Sequence, residues 1–371
     1  MDQQMEPFHQ RTGADEPFHQ RTGADEPFHQ RTGADEPFHQ RTGADEPLWE
    51  PTLHDVFLAR QRIAPFLRPT PLLQPPALAR ALGCEVYLKC ENLQPTGAFK
   101  VRGGINLVAA ELAAGRLGGA GIVAASTGNH GQSLAYAGHL FHVPVTIFAP
   151  EDGNPVKRTA IEALGATVRA IGRDFDEARE ACETFARASG ARYVHSMNEP
   201  LLVAGVATAY LEALEEVPDA DYLIVPIGGG SGASGAGLVA AAIAPETHVM
   251  GVQAEGAPAV ARSFRSGRLE MTEQVQTEAE GLATRVAFEL PVRVLRRYLD
   301  DVLLVSDAEM LSAMRLLAET AHVVAEHAGA AATAAALQLR ERLAGRKVIL
   351  AVTGGNATAA QLAAALGSTA E

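Results

Sequence analysis

Beyond residue 120, the chain alternates short apolar runs with longer segments in which apolar residues recur every three or four positions. The short runs predict strands, and the longer segments predict amphipathic helices. The predicted strands cover residues 122–125, 143–148, 167–171, 221–227, 248–253 and 348–352. The predicted helices cover 132–140, 155–164, 174–189, 201–216, 233–243, 309–319 and 328–343, with a last one from about 357. This alternation is typical of a parallel, twisted sheet covered by helices.

The segment before residue 120 has a less regular pattern. Thr52 is a suitable helix cap, and the apolar residues that follow it share one face of a helix predicted to run to Leu67. Four prolines between positions 69 and 76 then predict an extended connection. A short helix at 76–82 and a strand at 85–89 are predicted after it.

Residues 6–45 are four identical copies of the decapeptide Glu-Pro-Phe-His-Gln-Arg-Thr-Gly-Ala-Asp. Each copy has one large apolar residue, which is too little to offset the entropy of ordering the chain. Residues 1–47 are therefore predicted to be disordered. The alternative is a tail that binds a partner or a metal through its repeated histidines, which are His9, His19, His29 and His39.

Charge and composition exclude several classes of function. The net charge of −13 argues against binding to nucleic acid and to anionic membrane surfaces. No apolar run reaches the roughly 18 residues of a spanning helix, and the N-terminus has no apolar signal core, which predicts a cytoplasmic protein. Cys84, Cys90 and Cys182 have a spacing that fits neither a disulfide framework nor a zinc site.

Lys100 is the first candidate for chemistry. It follows a Pro-Thr-Gly turn and Phe99, and it opens an apolar helical run. An ordinary lysine has a pKa of about 10.4 and is protonated at neutral pH. Apolar neighbours disfavour the charged form, and the free amine forms a Schiff base with a carbonyl. The alternative is a surface lysine near a helix start.

Two turns between a predicted strand and a predicted helix are candidate anion sites. Residues 126–131 read Ser-Thr-Gly-Asn-His-Gly, and free N–H groups at the helix start attract a substrate carboxylate. In the same turn, Asn129 can donate to an oxygen of a cofactor ring. Residues 228–232 read Gly-Gly-Gly-Ser-Gly, whose N–H groups can cradle a phosphate. The alternative for the first turn is a simple connection chosen for backbone freedom.

The second turn also fits another cofactor. Gly230, Gly232 and Gly235 have the spacing of the dinucleotide fingerprint, and Glu255 lies near the position of a ribose-binding acid. A nicotinamide or flavin site is therefore an alternative. It would leave Lys100 and the turn at Asn129 without a role.

A fourth segment ends the predicted strand at 348–352 with Thr353, whose hydroxyl can hydrogen-bond a pyridine nitrogen. All these segments lie at strand ends or helix starts, which predicts one cleft at the carboxyl edge of the sheet. An amine, an anion cradle and a hydroxyl are together what pyridoxal phosphate needs.

These segments resemble the threonine/serine dehydratases (threonine ammonia-lyases) of the fold-type II pyridoxal-phosphate enzymes, which include serine racemase. The resemblance spans about residues 50–370. The matching stretches are 92–100, 126–131, 154–157, 228–232, 280–283, 325–330 and 353–356. It implies an α/β fold of the tryptophan synthase β type, with two lobes that each hold a twisted, mostly parallel sheet flanked by helices. The implied large cofactor-binding domain is 48–118 with 200–371, and the small domain is 119–199.

The resemblance also implies roles for individual residues. Lys100 corresponds to the Schiff-base lysine, Phe99 packs against the cofactor ring, and Thr353 meets the ring nitrogen. Asn129 bonds the ring 3-hydroxyl, and the backbone near Gly281 flanks the ring together with Glu326. The implied phosphate-binding residues are Gly228, Gly229, Gly230, Ser231 and Gly232. The implied residues for the substrate carboxylate are Ser126, Thr127, Gly128, Asn129 and His130.

The implied reaction is β-elimination from L-threonine or L-serine, giving 2-oxobutanoate or pyruvate and ammonia. The freed amine of Lys100 takes the Cα proton, and the ring serves as electron sink. Thr353 cannot protonate the ring nitrogen as an aspartate would, which favours rapid loss of the β-hydroxyl. The resemblance also implies a homo-oligomer, either a dimer or a tetramer.

Several alternatives stay open. The substrate can be another 3-hydroxy amino acid, such as 3-hydroxyaspartate or an arylserine. Thr127 stands where racemases carry a serine base, so it can give racemase activity. A non-catalytic alternative is a cofactor carrier or an interaction protein. No racemase-type metal site is expected, because Gln253, Ala257 and Ala259 stand where its acidic ligands would align. Feedback control by isoleucine is not expected either.

Overall fold

A computed structural model describes residues 48–126, 128–151, 155–173 and 175–367, and the strands of these residues form two sheets. In chain order the strands are β1 (Leu72–Leu73), β2 (Glu85–Cys90), β3 (Ile122–Ala125), β4 (Val145–Ala149), β5 (Thr167–Ala170), β6 (Arg192–Tyr193), β7 (Tyr222–Pro226), β8 (His248–Ala254), β9 (Asp301–Val305) and β10 (Lys347–Val352). The six-stranded sheet has the order β1-β2-β10-β7-β8-β9, and only β1 pairs antiparallel. The four-stranded sheet, in the order β5-β4-β3-β6, is parallel throughout.

Helices connect and cover these strands. In chain order they are α1 (Leu53–Ile63), α2 (Pro76–Leu82), α3 (Lys100–Ala113), α4 (Asn129–Phe141), α5 (Pro155–Ala163), α6 (Phe175–Ser189), α7 (Pro200–Glu216), α8 (Ser231–Ile243), α9 (Ala259–Ser266), α10 (Glu289–Tyr298), α11 (Asp307–Ala321), α12 (His327–Gln338), α13 (Arg340–Leu343) and α14 (Ala359–Gly367). Short 3₁₀ turns lie at Glu91–Leu93 and Glu280–Leu282. The predicted α/β class with mostly parallel sheets is thereby confirmed. The predicted disorder of 1–47 concerns residues outside the described ranges.

The interior is built largely from small residues. Helix α7 packs against α1, α3 and α8, and nearly all of its length is buried. Helix α12 consists mostly of alanine and lies between the six-stranded sheet and α11. Because small side chains let backbones approach closely, these helices form dense layers with few aromatic residues. This packing fixes the N-terminal ends of α3 and α8, where Lys100 and Ser231 are located.

Most predicted elements are confirmed, with corrections at their ends. The predicted helix to Leu67 is wrong at its C-terminal end, because α1 ends at Ile63. Pro65 has no N–H to donate to the preceding turn, so the helix cannot continue. The prediction also missed β1, β6, β9, α9 and α10. Strands β1 and β6 have two residues each, which is too short for any periodic signal.

The start of α4 also differs from the prediction. The helix was expected from residue 132 and begins at Asn129, so Asn129 and His130 are helical residues. The Ser126 hydroxyl accepts hydrogen bonds from the N–H groups of Gly128 (3.2 Å) and Gly131 (2.9 Å). A serine that pairs with N–H groups at a helix start allows the helix to begin earlier.

The three cysteines are free and buried, and burial raises the pKa of Cys84 and Cys90 to about 11. Thiols with raised pKa values are poor nucleophiles at neutral pH. Within the described ranges, no helix is both long enough and apolar enough to cross a membrane.

Candidate active site

Lys100 is the first residue of α3, and its side chain points at the start of α8. Its amine donates a 2.7 Å hydrogen bond to Oγ of Ser231 and lies 5.1 Å from the centre of the Phe99 ring. Its backbone carbonyl accepts a 2.6 Å hydrogen bond from the Ser133 hydroxyl of α4. Burial of the amine lowers the pKa of Lys100 to about 8. A substantial fraction of the amine is therefore neutral near physiological pH, as a nucleophile requires.

The glycine turn at 228–230 lies directly before Ser231. The N–H groups of Gly228, Gly229 and Gly230 donate to no other group of the described chain. A Cβ at Gly228 would lie 2.2 Å from the carbonyl oxygen of Gly281, and a Cβ at Gly229 would lie 2.1 Å from Sδ of Met197. The turn therefore has no room for side chains, and its donors suit a phosphate at the N-terminus of α8.

Asn129, at the start of α4, is hydrogen-bonded to the residue before α12 and to the segment after β10. Its Nδ2 donates to Oε1 of Glu326 at 2.8 Å, and its Oδ1 accepts from Nδ2 of Asn356 at 2.7 Å. The pKa of Glu326 lies above its usual range, because burial raises it more than the bond from Asn129 and the charge of Lys157 lower it. The amide of Asn129 is thus held from both ends beside the predicted cofactor site.

Thr353 follows β10 and is buried. Its backbone carbonyl accepts a 3.0 Å hydrogen bond from the N–H of Phe99, and its hydroxyl lies 3.5 Å from the carbonyl oxygen of Ala328. An antiparallel bridge between Ala98 and Gly354 continues this contact. The end of β10 is therefore joined directly to the turn that carries the lysine.

His130 is buried, and neither of its ring nitrogens makes a well-formed hydrogen bond to another described residue. Burial lowers its pKa to about 3, and the charges of Lys100 and His195 act in the same direction, whereas the backbone of Val194 opposes them. The imidazole is therefore neutral at physiological pH, with polar atoms left for a ligand. Thr127, the predicted second base, lies outside the described residues.

Behind Lys100, four buried charges form what we call the anchor network, defined as Lys89, Glu91, Arg102 and Glu212. Arg102 of α3 uses all five of its donors, on Glu91, Glu212 and the Thr208 hydroxyl, at 2.6–3.1 Å. Lys89 pairs with Glu212 at 2.6 Å. Burial opposes the charge on Glu91, but Arg102 holds its pKa below the usual range. The network is neutral in sum and fixes α3 two residues from Lys100.

A second cation lies on the side of the four-stranded sheet. Lys157 of α5 pairs with Glu280, and its amine lies 3.8 Å from where a Cβ on Gly128 would be. Burial lowers the pKa of Lys157, and Glu326 opposes this shift. Lys157 is thus a half-buried cation next to the turn predicted to bind the substrate carboxylate.

The structure brings the described site residues together at one end of α3, α4, α8 and α12. Sequence reasoning missed the anchor network and gave no role to Asn356. Arg102 carried a signal, since it is a charge within an apolar helical run. Its pairing with Glu212 joins positions 110 residues apart, which no local pattern shows.

The fold and this site define a pyridoxal-phosphate enzyme, and comparison with known proteins agrees. The profile of the family described as pyridoxal-phosphate dependent enzyme matches residues 63–355. The chain belongs to this family, which confirms the predicted fold type and cofactor. The dinucleotide alternative for Gly230 to Gly235 is set aside accordingly.

The similar proteins include ammonia-lyases. The chain is 39% identical to an L-threonine ammonia-lyase of Thermotoga maritima over 305 residues, covering 82% of this chain and 75% of that protein. It is 36% identical to an L-threo-3-hydroxyaspartate ammonia-lyase of Saccharomyces cerevisiae, covering 82% and 93%. Maize serine racemase has a similar structure, with a TM-score of 0.80, 30% identity, and coverage of 85% of this chain and 96% of that one.

One observation bears on the expected absence of a metal site. Across the described ranges, no group of three or more His, Cys, Asp or Glu side chains is arranged to hold a metal ion. At one of the aligned positions, Gln253 is buried and accepts a 2.8 Å hydrogen bond from the N–H of Ala261. The expectation that the chain has no racemase-type metal site stays a prediction.

Proposed function

We propose that the protein is an ammonia-lyase that removes ammonia from L-threonine and L-serine by β-elimination. The observation that carries the proposal is the hydrogen bond of the Lys100 amine, with its lowered pKa, to Ser231, directly after the glycine N–H groups that donate to no other group of the described chain. The similarity to L-threonine ammonia-lyases supports the choice of substrate. The products are 2-oxobutanoate from threonine and pyruvate from serine, each with ammonia.

In the proposed site, Lys100 holds the cofactor covalently and Phe99 packs against its ring. The N–H groups of residues 228–232 would bind its phosphate, because those of Gly228, Gly229 and Gly230 donate to no other group of the described chain and have no side chains in the way. Asn129 would donate to the ring oxygen, Thr353 would meet the ring nitrogen, and Gly281 and Glu326 would flank the ring. Ser126, Thr127, Gly128, Asn129 and His130 surround the substrate carboxylate.

When bound, pyridoxal phosphate supplies a sink for the electrons released at Cα. Because burial lowers the pKa of Lys100 to about 8, a fraction of its amine is neutral at physiological pH and would take the Cα proton of the substrate. His130 is neutral in the same site, so it adds no cation that would oppose protonation of Lys100. The anchor network holds α3 rigid while this proton moves.

The proposal is tested at Lys100. The chain has four lysines, which are Lys89, Lys100, Lys157 and Lys347. Borohydride reduction of the loaded enzyme followed by peptide mass spectrometry should therefore place the cofactor on one of only four residues. We expect the label on Lys100, and we expect Lys100→Ala to lose about 10³-fold or more in turnover of L-threonine.

The matched control is Lys347→Ala, because Lys347 pairs with Asp219 at the surface and lies away from the site. It should keep full activity. Unchanged turnover in Lys100→Ala, or a label on another lysine, would contradict the proposal.

Lys157 favours a second candidate substrate, 3-hydroxyaspartate. This cation beside Gly128 already pairs with the Glu280 carboxylate, and the side-chain carboxylate of 3-hydroxyaspartate can take that place. Relatives named L-threo-3-hydroxyaspartate ammonia-lyase support this candidate. Lys157→Met should then lower kcat/KM for L-threo-3-hydroxyaspartate about tenfold more than for L-threonine. Equal losses for both substrates would remove this candidate.

We further propose the two-domain division at 48–118 with 200–371 and 119–199, a homo-oligomer, and a cytoplasmic location. The separate four-stranded sheet supports the division, because its strands all lie between residues 122 and 193. Light scattering of the purified protein distinguishes a dimer from a tetramer. Chiral chromatography of L-serine reactions tests the racemase alternative that involves Thr127.

A further inference from the structure

Asn356 closes the Thr-Gly-Gly-Asn segment after β10 and has no role in the proposed reaction, yet both N–H bonds of its amide are engaged. Nδ2 donates to the backbone carbonyl of Thr96 at 2.9 Å and to Oδ1 of Asn129 at 2.7 Å. A backbone carbonyl only accepts hydrogen bonds. The contact with Thr96 therefore determines which end of the Asn356 amide is the nitrogen, and Asn129 must present its oxygen to it.

The opposite end of Asn129 meets a second acceptor, Oε1 of Glu326, at 2.8 Å. A reversed Asn129 would place its NH2 against the NH2 of Asn356 and its carbonyl against the Glu326 carboxylate. Both contacts would be repulsive, so one orientation of the Asn129 amide is selected from both sides. The bond to Glu326 uses one of its two N–H groups, and within the described chain the other has no acceptor.

We infer that Asn356 is a positioning residue that sets the orientation of the Asn129 amide, so that a free N–H faces the cofactor ring. This inference rests on the proposed function, because it assumes that Asn129 meets the ring oxygen. Asn356 itself does not touch the cofactor in this arrangement. It determines whether Asn129 offers the ring a donor or an acceptor.

The Pro-Thr-Gly turn makes room for Asn356. A Cβ on Gly97 would lie 2.3 Å from Oδ1 of Asn356, and Gly97 also has a φ of +66°. Any other residue at 97 would displace the Asn356 side chain. The turn before Lys100 and the segment after β10 therefore depend on each other, because Gly97 leaves the space that the Asn356 side chain occupies.

The test measures binding of pyridoxal phosphate to the dialysed, cofactor-free protein by absorption titration. Asn356→Asp keeps the size of the side chain but cannot donate, so Asn129 must reverse or face a carboxylate. We expect its dissociation constant to rise about tenfold. Asn356→Ala removes the partner but leaves Glu326 to orient Asn129, so a rise of about threefold is expected. A role in filling space predicts the opposite ranking, with alanine worse than aspartate.

A charge-matched control separates orientation from electrostatics. Asn92 also donates its amide to a backbone carbonyl, that of Val324 at 3.0 Å, and its Cβ is close to Gly355. Asn92→Asp therefore adds the same charge next to the same segment without touching Asn129. We expect it to change the dissociation constant less than about twofold. If Asn92→Asp weakens binding as much as Asn356→Asp, the orientation inference is overturned.

A second pair of variants tests the turn. Gly97→Ala should weaken cofactor binding about as much as Asn356→Ala, because it displaces Asn356. Gly115→Ala has nearly the same backbone conformation, with φ of +67°, and nothing within 4 Å of the added Cβ. It carries the same backbone strain and should bind the cofactor as the wild type does.

The outcomes also separate this inference from the proposed function. If the wild-type protein binds no pyridoxal phosphate through Lys100, the proposed function fails. If the wild type binds and Asn356→Asp binds equally well, only the orientation inference fails. Thermal unfolding of the cofactor-free proteins gives an independent readout, in which Asn356→Asp should melt below Asn356→Ala. The reverse order would count against the donor role of Asn356.

Discussion

The polar groups on the two sides of Lys100 differ in whether they have hydrogen-bond partners. Behind it, the anchor network is complete, since Arg102 uses all five donors and Lys89 pairs with both Glu212 and the Thr70 carbonyl. In front of it, several polar groups have no well-formed hydrogen bond to another described residue. They are the N–H groups of residues 228–230, one N–H of Asn129 and the ring nitrogens of His130, which have only a contact with the Val194 backbone.

An unpaired buried polar group costs about 1–3 kcal/mol, so a fold retains several of them together only where something else completes them. The difference between the two sides therefore separates residues that hold α3 in place from residues that we propose meet the ligand. The first group should contribute to stability in the absence of ligand. The second should contribute mainly when the cofactor and substrate are bound.

The largest expected effect concerns the anchor network. Arg102→Met leaves Glu91 and Glu212 without their main partner and should lower the free energy of unfolding by about 3–5 kcal/mol. Urea unfolding of the cofactor-free protein measures this loss. The control Arg60→Met breaks a surface pair with Glu215 and should cost less than about 1 kcal/mol. Similar losses in both variants would remove the distinction between a buried and an exposed pair.

Substitutions in the glycine turn should act mainly on the binding of pyridoxal phosphate rather than on the free energy of unfolding. Gly229→Ala places a Cβ 2.1 Å from Sδ of Met197 and should shift the N–H groups that we propose bind the phosphate. We expect the dissociation constant for pyridoxal phosphate to rise about tenfold or more, which is about 1.4 kcal/mol. Gly119→Ala is the control, because nothing lies within 4 Å of its added Cβ. The turn would not be the phosphate site if Gly229→Ala bound the cofactor normally.

Two buried histidines give a matched comparison of paired and unpaired groups. Nδ1 of His195 accepts hydrogen bonds from the N–H groups of Met197 and Asn198, each at 3.0 Å, whereas the ring of His130 has no well-formed bond. His195→Leu should therefore lower the free energy of unfolding by about 2 kcal/mol, and His130→Leu by less than about 1 kcal/mol. Chemical denaturation of the cofactor-free variants measures both. Equal losses would show that His130 serves the fold rather than a ligand.

A further expected effect is a dependence of stability on pH that comes from Lys100. In the cofactor-free protein its pKa is lowered to about 8, whereas an unfolded lysine titrates near 10.4. Between these values the unfolded chain binds more protons, so the free energy of unfolding should rise as the pH rises from about 8 to about 10. Below about pH 8 the cost of charging the buried amine is present in full. Unfolding curves of Lys100→Met should lack this rise, and an identical rise in that variant would assign it to another group.

The sequence predicted the strand ends and helix starts that carry the site, because those turns have local signals. Lys100, the glycine turn and Thr353 each follow or precede a clear apolar run. The beginning of α4 was predicted three residues late, because Ser126 acts on N–H groups two and five positions further along. These hydrogen bonds can be recognised only from the position of the Ser126 hydroxyl in the structure.

The partners of Arg102 and Asn129 could not be predicted. Arg102 meets Glu212 across 110 positions, and Asn129 meets Glu326 and Asn356 across 197 and 227. Pairings over these separations are determined by how α3, α7 and α12 pack, which depends on small buried residues without individual signals. The anchor network thus follows from the assembled fold, whereas the turns of the proposed active site follow from local sequence.

The junction between the lysine turn and the end of β10 has a consequence for how the protein is made. Gly355 donates to the carbonyl of Gly97, and Phe99 donates to that of Thr353, so the site joins the first third of the described chain to its last residues. Contacts over such long separations form late in folding, and chains emerge from the ribosome N-terminus first. Lys100 therefore leaves the ribosome about 250 residues before Thr353 and Gly355, which takes tens of seconds at roughly 5–20 residues per second. The junction beside Lys100 can be complete only after the chain has been synthesised through Gly355.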